Sequence, residues 1–219
     1  MWLFLGAVNC GGQLTGRRCL STIFIVSTSV AQIPQTQRIW TEEELQALPD
    51  DGYIHEVVGG ALVMSPKNNF EHGDICTRLS TALNVFVRAR KLGVVLDSST
   101  GFWMQNRNCR APDVSFIAKA RLRQWKRAPA AFFEGASDLA VEVLAPSNTP
   151  GEISQRLEDF FASGAQLAWV IHPEEQFVEI CHSPVQRKML GSGAVLDGEG
   201  LLPGFQYPIA DLFLDWDWD

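Results

Sequence analysis

The chain has 219 residues, 46% of them hydrophobic and 20% charged, which is ordinary usage for a folded protein and argues against a long disordered chain. Lys and Arg total 18 against 25 Asp and Glu, a formal net charge of -7, which argues against a nucleic-acid coat or architectural protein working through diffuse positive charge. The five cysteines are odd in number, widely spaced and without a C-x-x-C pair, so they read as reduced, buried thiols rather than a disulfide framework or zinc knuckle.

Residues 1–39 differ in kind from the rest. An apolar octet precedes Arg17-Arg18, and the run from Cys19 to Ala31 is broken by Ser and Thr, so a secretory signal is imitated but not reproduced. Three readings stay open: an upstream extension of the reading frame, a targeting segment, or an added edge element. No later stretch is long and apolar enough to span a membrane.

From Thr41 the elements follow in order. Thr41 and Glu44 have capping-box spacing and predict a short helix from Glu42 to about Leu48. Tyr53–Val58 and Ala61–Met64 flank Gly59-Gly60 as a hairpin. Apolar residues at Ile75, Leu79, Leu83, Val85 and Phe86 predict an amphipathic helix from Phe70 to about Ala89. Short strands are expected at Val94–Leu96 and Gly101–Met104, then one strand through Arg110–Ile117, entered at Pro112.

The polar segment from Lys119 to Ser137 carries Arg121, Arg123, Lys126 and Arg127 and is either a substrate-facing loop or a solvated surface. Asp138–Leu144 is a strong strand, and residues 152–163 form a helix with Ile153, Leu157, Phe160 and Phe161 inward. Strands at Leu167–Ile171 and Phe177–Cys181 follow, then short strands near Val195 and Leu201 and a helical turn at Ile209–Phe213. Helices set between strands indicate an α/β or α+β core with a crossover.

Strand periodicity puts Leu139, Val141 and Val143 on one face and Glu142 with Ala140 on the other. A carboxylate in mid-strand is costly if buried without a partner. Two solutions are open. Asp113 can share the site, and two adjacent carboxylates repel unless a divalent cation joins them. Alternatively Glu142 pairs with Arg110 or Arg156.

Arg156, on the following helix, is placed to project back over the strand end and offer positive charge to a transferring phosphoryl group. Glu56 and His72 can reach the same cleft, although His72 also reads as a solvent-facing residue at a helix start. Cys181 and His182, adjacent on a strand, point to opposite faces and make no catalytic pair. There is no G-x-G-x-x-G, Walker or G-x-S-x-G motif. The negative balance is compatible with a metal-dependent nuclease, which concentrates carboxylates and lets a cation carry part of the attraction for phosphate.

The residues Thr41–Leu45, Tyr53–Gly60, Val63–Pro66, Glu71-His72-Gly73, Pro112-Asp113-Val114, Val141–Ser147, Trp169-Val170-Ile171 and Leu202–Phe205, in this order, resemble the restriction-endonuclease family called Uma2. The resemblance spans about residues 38–215. It implies the PD-(D/E)XK nuclease superfamily: a restriction-endonuclease-like domain over 40–215, with a central mixed β-sheet flanked by helices and a tail at 216–219. It further implies Mg²⁺-dependent hydrolysis of DNA, with Mn²⁺ as a substitute, in a cytoplasmic protein without stable membrane association.

By that likeness Asp113 and Glu142 bind the metal, and Glu56 and His72 are accessory. Arg156 occupies the position of a helix-borne lysine. Family members usually carry Asp where this chain has Gly59, Asn148 and His172. Arginine keeps the charge of lysine but is no base at ordinary pH. The expectation is therefore an endonuclease, or else a relative that binds nucleic acid or a protein without cutting. Folds of this kind often form homodimers, but no stretch identifies an interface.

Overall fold

The computed structural model describes residues 39–216 apart from Asp50, Lys67, Gln124, Lys126 and Arg127. The expectations for residues 1–38, and for Lys126 and Arg127, lie outside the described residues.

Helix α1 (Glu42–Gln46) begins with the expected reciprocal cap: Glu44 N donates to Thr41 Oγ1 at 3.3 Å and Thr41 N donates to Glu44 Oε2 at 3.0 Å. Strands β1 (Ile54–Val58) and β2 (Ala61–Ser65) pair antiparallel around Gly59 and Gly60, whose φ values of 58° and 79° suit glycine at both turn positions. Helix α2 (Phe70–Arg90) buries Ile75, Leu79, Leu83 and Val87 at strict four-residue spacing. Val85, expected inward, is 66% exposed, because two residues beyond Leu83 is about 200° around the helix.

After β3 (Gly93–Asp97) and β4 (Phe102–Trp103), the strand expected over Arg110–Ile117 is two strands, β5 (Cys109–Arg110) and β6 (Val114–Ala118). The break at Ala111-Pro112-Asp113 is where the chain leaves one sheet for another. Proline donates no ladder hydrogen bond and suits such a passage. Helix α3 (Lys119–Leu122), β7 (Phe133–Glu134) and β8 (Leu139–Val143) follow. Helix α4 (Pro150–Ala162) starts two residues earlier than expected, with Thr149 as cap, Glu152 completing a second capping box and proline in the first turn.

The remainder is β9 (Leu167–His172), β10 (Phe177–Cys181), β11 (Arg187–Gly191), β12 (Val195–Asp197), β13 (Gln206–Pro208) and a 3₁₀ turn at Ile209–Leu212. Strand β11 was not expected. Leu201, expected in a strand, lies in a turn, and the partner of β12 is β13.

Three sheets result, ordered β2-β1-β5-β4-β7, β11-β10-β9-β8-β6-β3 and β12-β13. In the six-stranded sheet β8 and β9 run parallel, joined by the α4 crossover, and the other pairs are antiparallel. All five residues of β8 are buried. Leu139, Val141 and Val143 pack with the inward stripe of α2, while Ala140 packs with Ile153, Leu157 and Phe160 of α4. The mixed sheet is thus covered by a helix on each face, the arrangement expected for a restriction-endonuclease-like α/β core. Glu142 stands in its central strand, away from water.

Candidate metal centre

The register pairing Val114 with Val141 carries Asp113, one residue before β6, alongside Glu142. Val143 N donates to Asp113 Oδ2 at 2.8 Å, tying the carboxylate to the end of β8. Glu142 is 6% exposed and accepts from Arg156 Nη1 through Oε1 at 3.2 Å. Of the partners weighed from the sequence, Arg156 is the ion-pair partner of Glu142, and Asp113 lies beside it. Glu142 Oε2 and Asp113 Oδ1 accept no hydrogen bond among the described residues.

Arg156 is held more firmly by Glu56 than by Glu142. Its Nη1 and Nη2 donate to the two oxygens of Glu56, each at 2.9 Å, in a bidentate pair. Glu56, 2% exposed on β1, also accepts from Ala111 N at 2.8 Å and from Arg110 Nη1 at 3.4 Å. Arg110 in turn donates through Nε and Nη2 to Asp159 Oδ2, both at 2.7 Å. Asn108 and Asn106 add donors to Asp159 at 2.9 and 2.6 Å.

Glu56 and Arg110 belong to the five-stranded sheet, Glu142 to the six-stranded one with Asp113 just before its strand β6, and Arg156 and Asp159 to α4. Arg110, named from the sequence only as a possible partner of Glu142, pairs instead with Asp159 and Glu56, and Asp159 was not marked as a site residue. The available signal was its position: Asp159 is three residues from Arg156 on one helix, at the edge of an apolar stripe.

Four carboxylates, of Glu56, Asp113, Glu142 and Asp159, face two guanidiniums, of Arg110 and Arg156. The surplus is negative, and it appears at Glu142. Burial pushes the Glu142 carboxyl from the usual 4.5 up to about 8; Arg156 opposes the rise, while Asp113 and Glu56 reinforce it. On Arg156 burial acts downward, but Glu142, Glu56 and Asp113 outweigh it and hold the guanidinium above its ordinary range. A divalent cation suits this donor set, since it would meet two oxygens lacking partners and cancel the surplus charge.

A pH dependence follows. A carboxyl whose folded value lies above its unfolded one binds its proton more tightly when folded. Its contribution to stability is complete below 4.5 and is lost as the pH rises through about 8. The thermal midpoint of metal-free protein is expected to fall between about pH 5 and pH 8 relative to Glu142→Gln, in which this titration is absent. Parallel melting curves for the two proteins across that range would contradict it.

His72 is 6% exposed, not solvent-facing, because α2 turns its first turn toward β6 and β8. Its Nε2 lies 3.2 Å from Asp113 Oδ2 and its Nδ1 3.5 Å from Cys76 Sγ, one turn along the helix. Ligand atoms of His72, Cys76 and Asp113 all lie within 4.8 Å of one another, so this cluster can hold a divalent metal. Burial, with the charges of Asp113 and Glu142, pushes the Cys76 thiol far up, which favours the neutral thiol over the thiolate that binds metals.

The other histidines are engaged elsewhere. His55 faces Asp51 at 3.4 Å, His172 faces Glu179 at 3.1 Å and stacks on Phe177, and His182 faces Glu199 at 2.7 Å. Arg121, in the segment with two open readings, folds back onto the Phe133 ring and the Ala136 carbonyl. An apolar hollow of about 530 Å³ lies near that segment, lined by Val94, Leu96, Trp125 and Phe132, and none of its lining residues is a carboxylate.

Residues 42–211 match the family Uma2, described as "Putative restriction endonuclease". The chain belongs to the Uma2 family. The fold is similar to the crystal structure of a "putative nuclease belonging to DUF820" from Anabaena variabilis ATCC 29413, with a TM-score of 0.68 and 20% identity. That match covers 80% of this chain and 97% of the other, and at such identity it speaks to the fold. No curated protein matches the sequence. Among the described residues no helix is long and apolar enough to cross a membrane. A nuclease-family fold with a candidate metal-binding cluster is the result.

Proposed function

We propose that the protein is a metal-dependent endonuclease that hydrolyses DNA phosphodiester bonds, with Mg²⁺ or Mn²⁺ held by Asp113 and Glu142. The observation that carries this reading is the pair of adjacent carboxylates, each with one oxygen fixed by the protein and one uncommitted, in a Uma2 fold. A divalent ion bound there would polarise a phosphoryl oxygen and acidify a coordinated water.

The protein's own part is to present the oxygens. Val143 N orients Asp113, and Arg156 orients Glu142 while balancing its charge. Because both terminal nitrogens of Arg156 face carboxylates, its work is to hold the acidic cluster rather than to reach for phosphate. Arginine does not serve as the base. Supercoiled plasmid incubated with the protein is expected to be nicked in Mg²⁺ or Mn²⁺ and left intact in chelator. Protein that binds either ion yet leaves plasmid intact would overturn the reading.

The engagement of Arg156 also favours a second reading, a relative that binds nucleic acid without cutting. If the wild type is silent, nicking by Arg156→Lys would assign that silence to the one substitution.

A further inference from the structure

We propose that His72 is itself a ligand of this centre, through Nε2, and that the site therefore prefers a first-row transition ion of the manganese type to magnesium. This rests on the metal-site reading above and concerns which ion the site selects.

The backbone amide and both ring nitrogens of His72 are engaged. His72 N is held by the Asn69 side chain at 2.9 Å at the start of α2, and Nδ1 meets Cys76 Sγ at 3.5 Å. Nε2 meets two groups at once: the Asn68 amide nitrogen at 3.0 Å, which is a donor, and Asp113 Oδ2 at 3.2 Å, which is an acceptor. One imidazole nitrogen carries either a proton or a lone pair, so it cannot satisfy both. With Cys76 engaging Nδ1, the Nε2 atom and the Asp113 oxygen stand close enough to be bridged by one cation.

The spacing suits this arrangement. Two ligands at right angles around an ion, each about 2.1–2.2 Å from it, lie about 3 Å apart, close to the observed 3.2 Å. Val143 N pins Asp113 through Oδ2, so this carboxylate would offer Oδ2 on the side of His72 and its Oδ1, without a partner among the described residues, for the ion shared with Glu142. The two ring nitrogens point in diverging directions, which makes Cys76 the partner that orients the ring rather than a third ligand. Metal-bound histidines commonly carry such a partner on the other nitrogen.

An imidazole nitrogen beside carboxylate oxygens is a donor set for first-row transition ions, whereas Mg²⁺ keeps oxygen ligands and water. The preference then resides in one side chain, because Asp113 and Glu142 serve both ions.

The test uses the full chain, titrated calorimetrically with MnCl₂ and with MgCl₂, and pulsed electron paramagnetic resonance of the Mn²⁺-loaded protein. Mn²⁺ is expected to bind at least about tenfold more tightly than Mg²⁺ and to show nitrogen hyperfine coupling. His72→Gln should abolish the coupling and weaken Mn²⁺ about tenfold or more, with Mg²⁺ changed less than about twofold; His72→Ala is the second variant should the first not fold.

Nitrogen coupling that is absent from the wild type, or that persists in both variants, overturns the proposal. So does equal weakening of both ions, which would make His72 a hydrogen-bonded clamp on Asp113. In those cases the nuclease reading stands as long as the wild type binds metal and Asp113→Asn does not. A wild type that binds neither ion overturns both.

Discussion

On the proposed nuclease reading, Asp113→Asn is expected to abolish metal-dependent nicking, lowering the rate by at least about a hundredfold. The asparagine has the shape of the native side chain, and its oxygen can still accept from Val143 N, so the strand end keeps its geometry. What is lost is one negative charge and one hard oxygen at the centre of the cluster. Because Asp113 helps raise the Glu142 carboxyl, removing its charge also relieves repulsion in the metal-free protein. The variant should therefore melt no lower than the wild type while binding metal more weakly. Measured side by side, undiminished nicking would remove Asp113 from the reaction, and a large fall in melting temperature would mark it as structural.

Glu56→Gln should be the more damaging change to the fold, costing about 3–5 kcal/mol in urea unfolding. Both arginines of the network rely on Glu56: Arg156 through two 2.9 Å bonds and Arg110 through a longer one. A neutral amide of the same size can accept one of these bonds but sets its own N–H groups against a guanidinium. Arg156 would then depend on Glu142 alone, and Arg110 on Asp159. A loss below about 1 kcal/mol would mean that the cluster is solvated rather than held dry.

The buried carboxylate of Glu142 could be read from the sequence because strand periodicity sets it alone in an apolar strand, and such a residue demands a partner wherever it is buried. The capping box at Thr41 was equally legible, since everything it needs lies within four residues. The role of Glu56 was not. Its position among apolar neighbours marks it as unusual, but its partner Arg156 is 100 residues away, and only the packing of α4 against both sheets joins them.

The same limit explains the strand expected through Arg110. Pro112 signals an interruption, but residues on both sides favour extended backbone, and the change of sheet is a tertiary event. Strand β11 is mostly exposed on both faces and so lacks the alternation that would announce it. His72 occupies a helix start, usually a wet position. Its burial depends on where α2 lies over β6 and β8, which no local pattern encodes.

The passage of the chain between sheets at Pro112 bears on the order of assembly. Glu56 and Arg110 precede it, Asp113 and Glu142 follow it, and Arg156 and Asp159 arrive last, on α4. A nascent chain that has released only the residues through β8 already carries all the acids except Asp159, yet lacks the guanidinium that aligns Glu56 with Glu142. The complete centre can form only after α4 has been synthesised and has docked against the earlier strands, a long-range step of the kind that forms slowly. Connectivity thereby makes the acidic cluster among the last parts of the fold to be assembled.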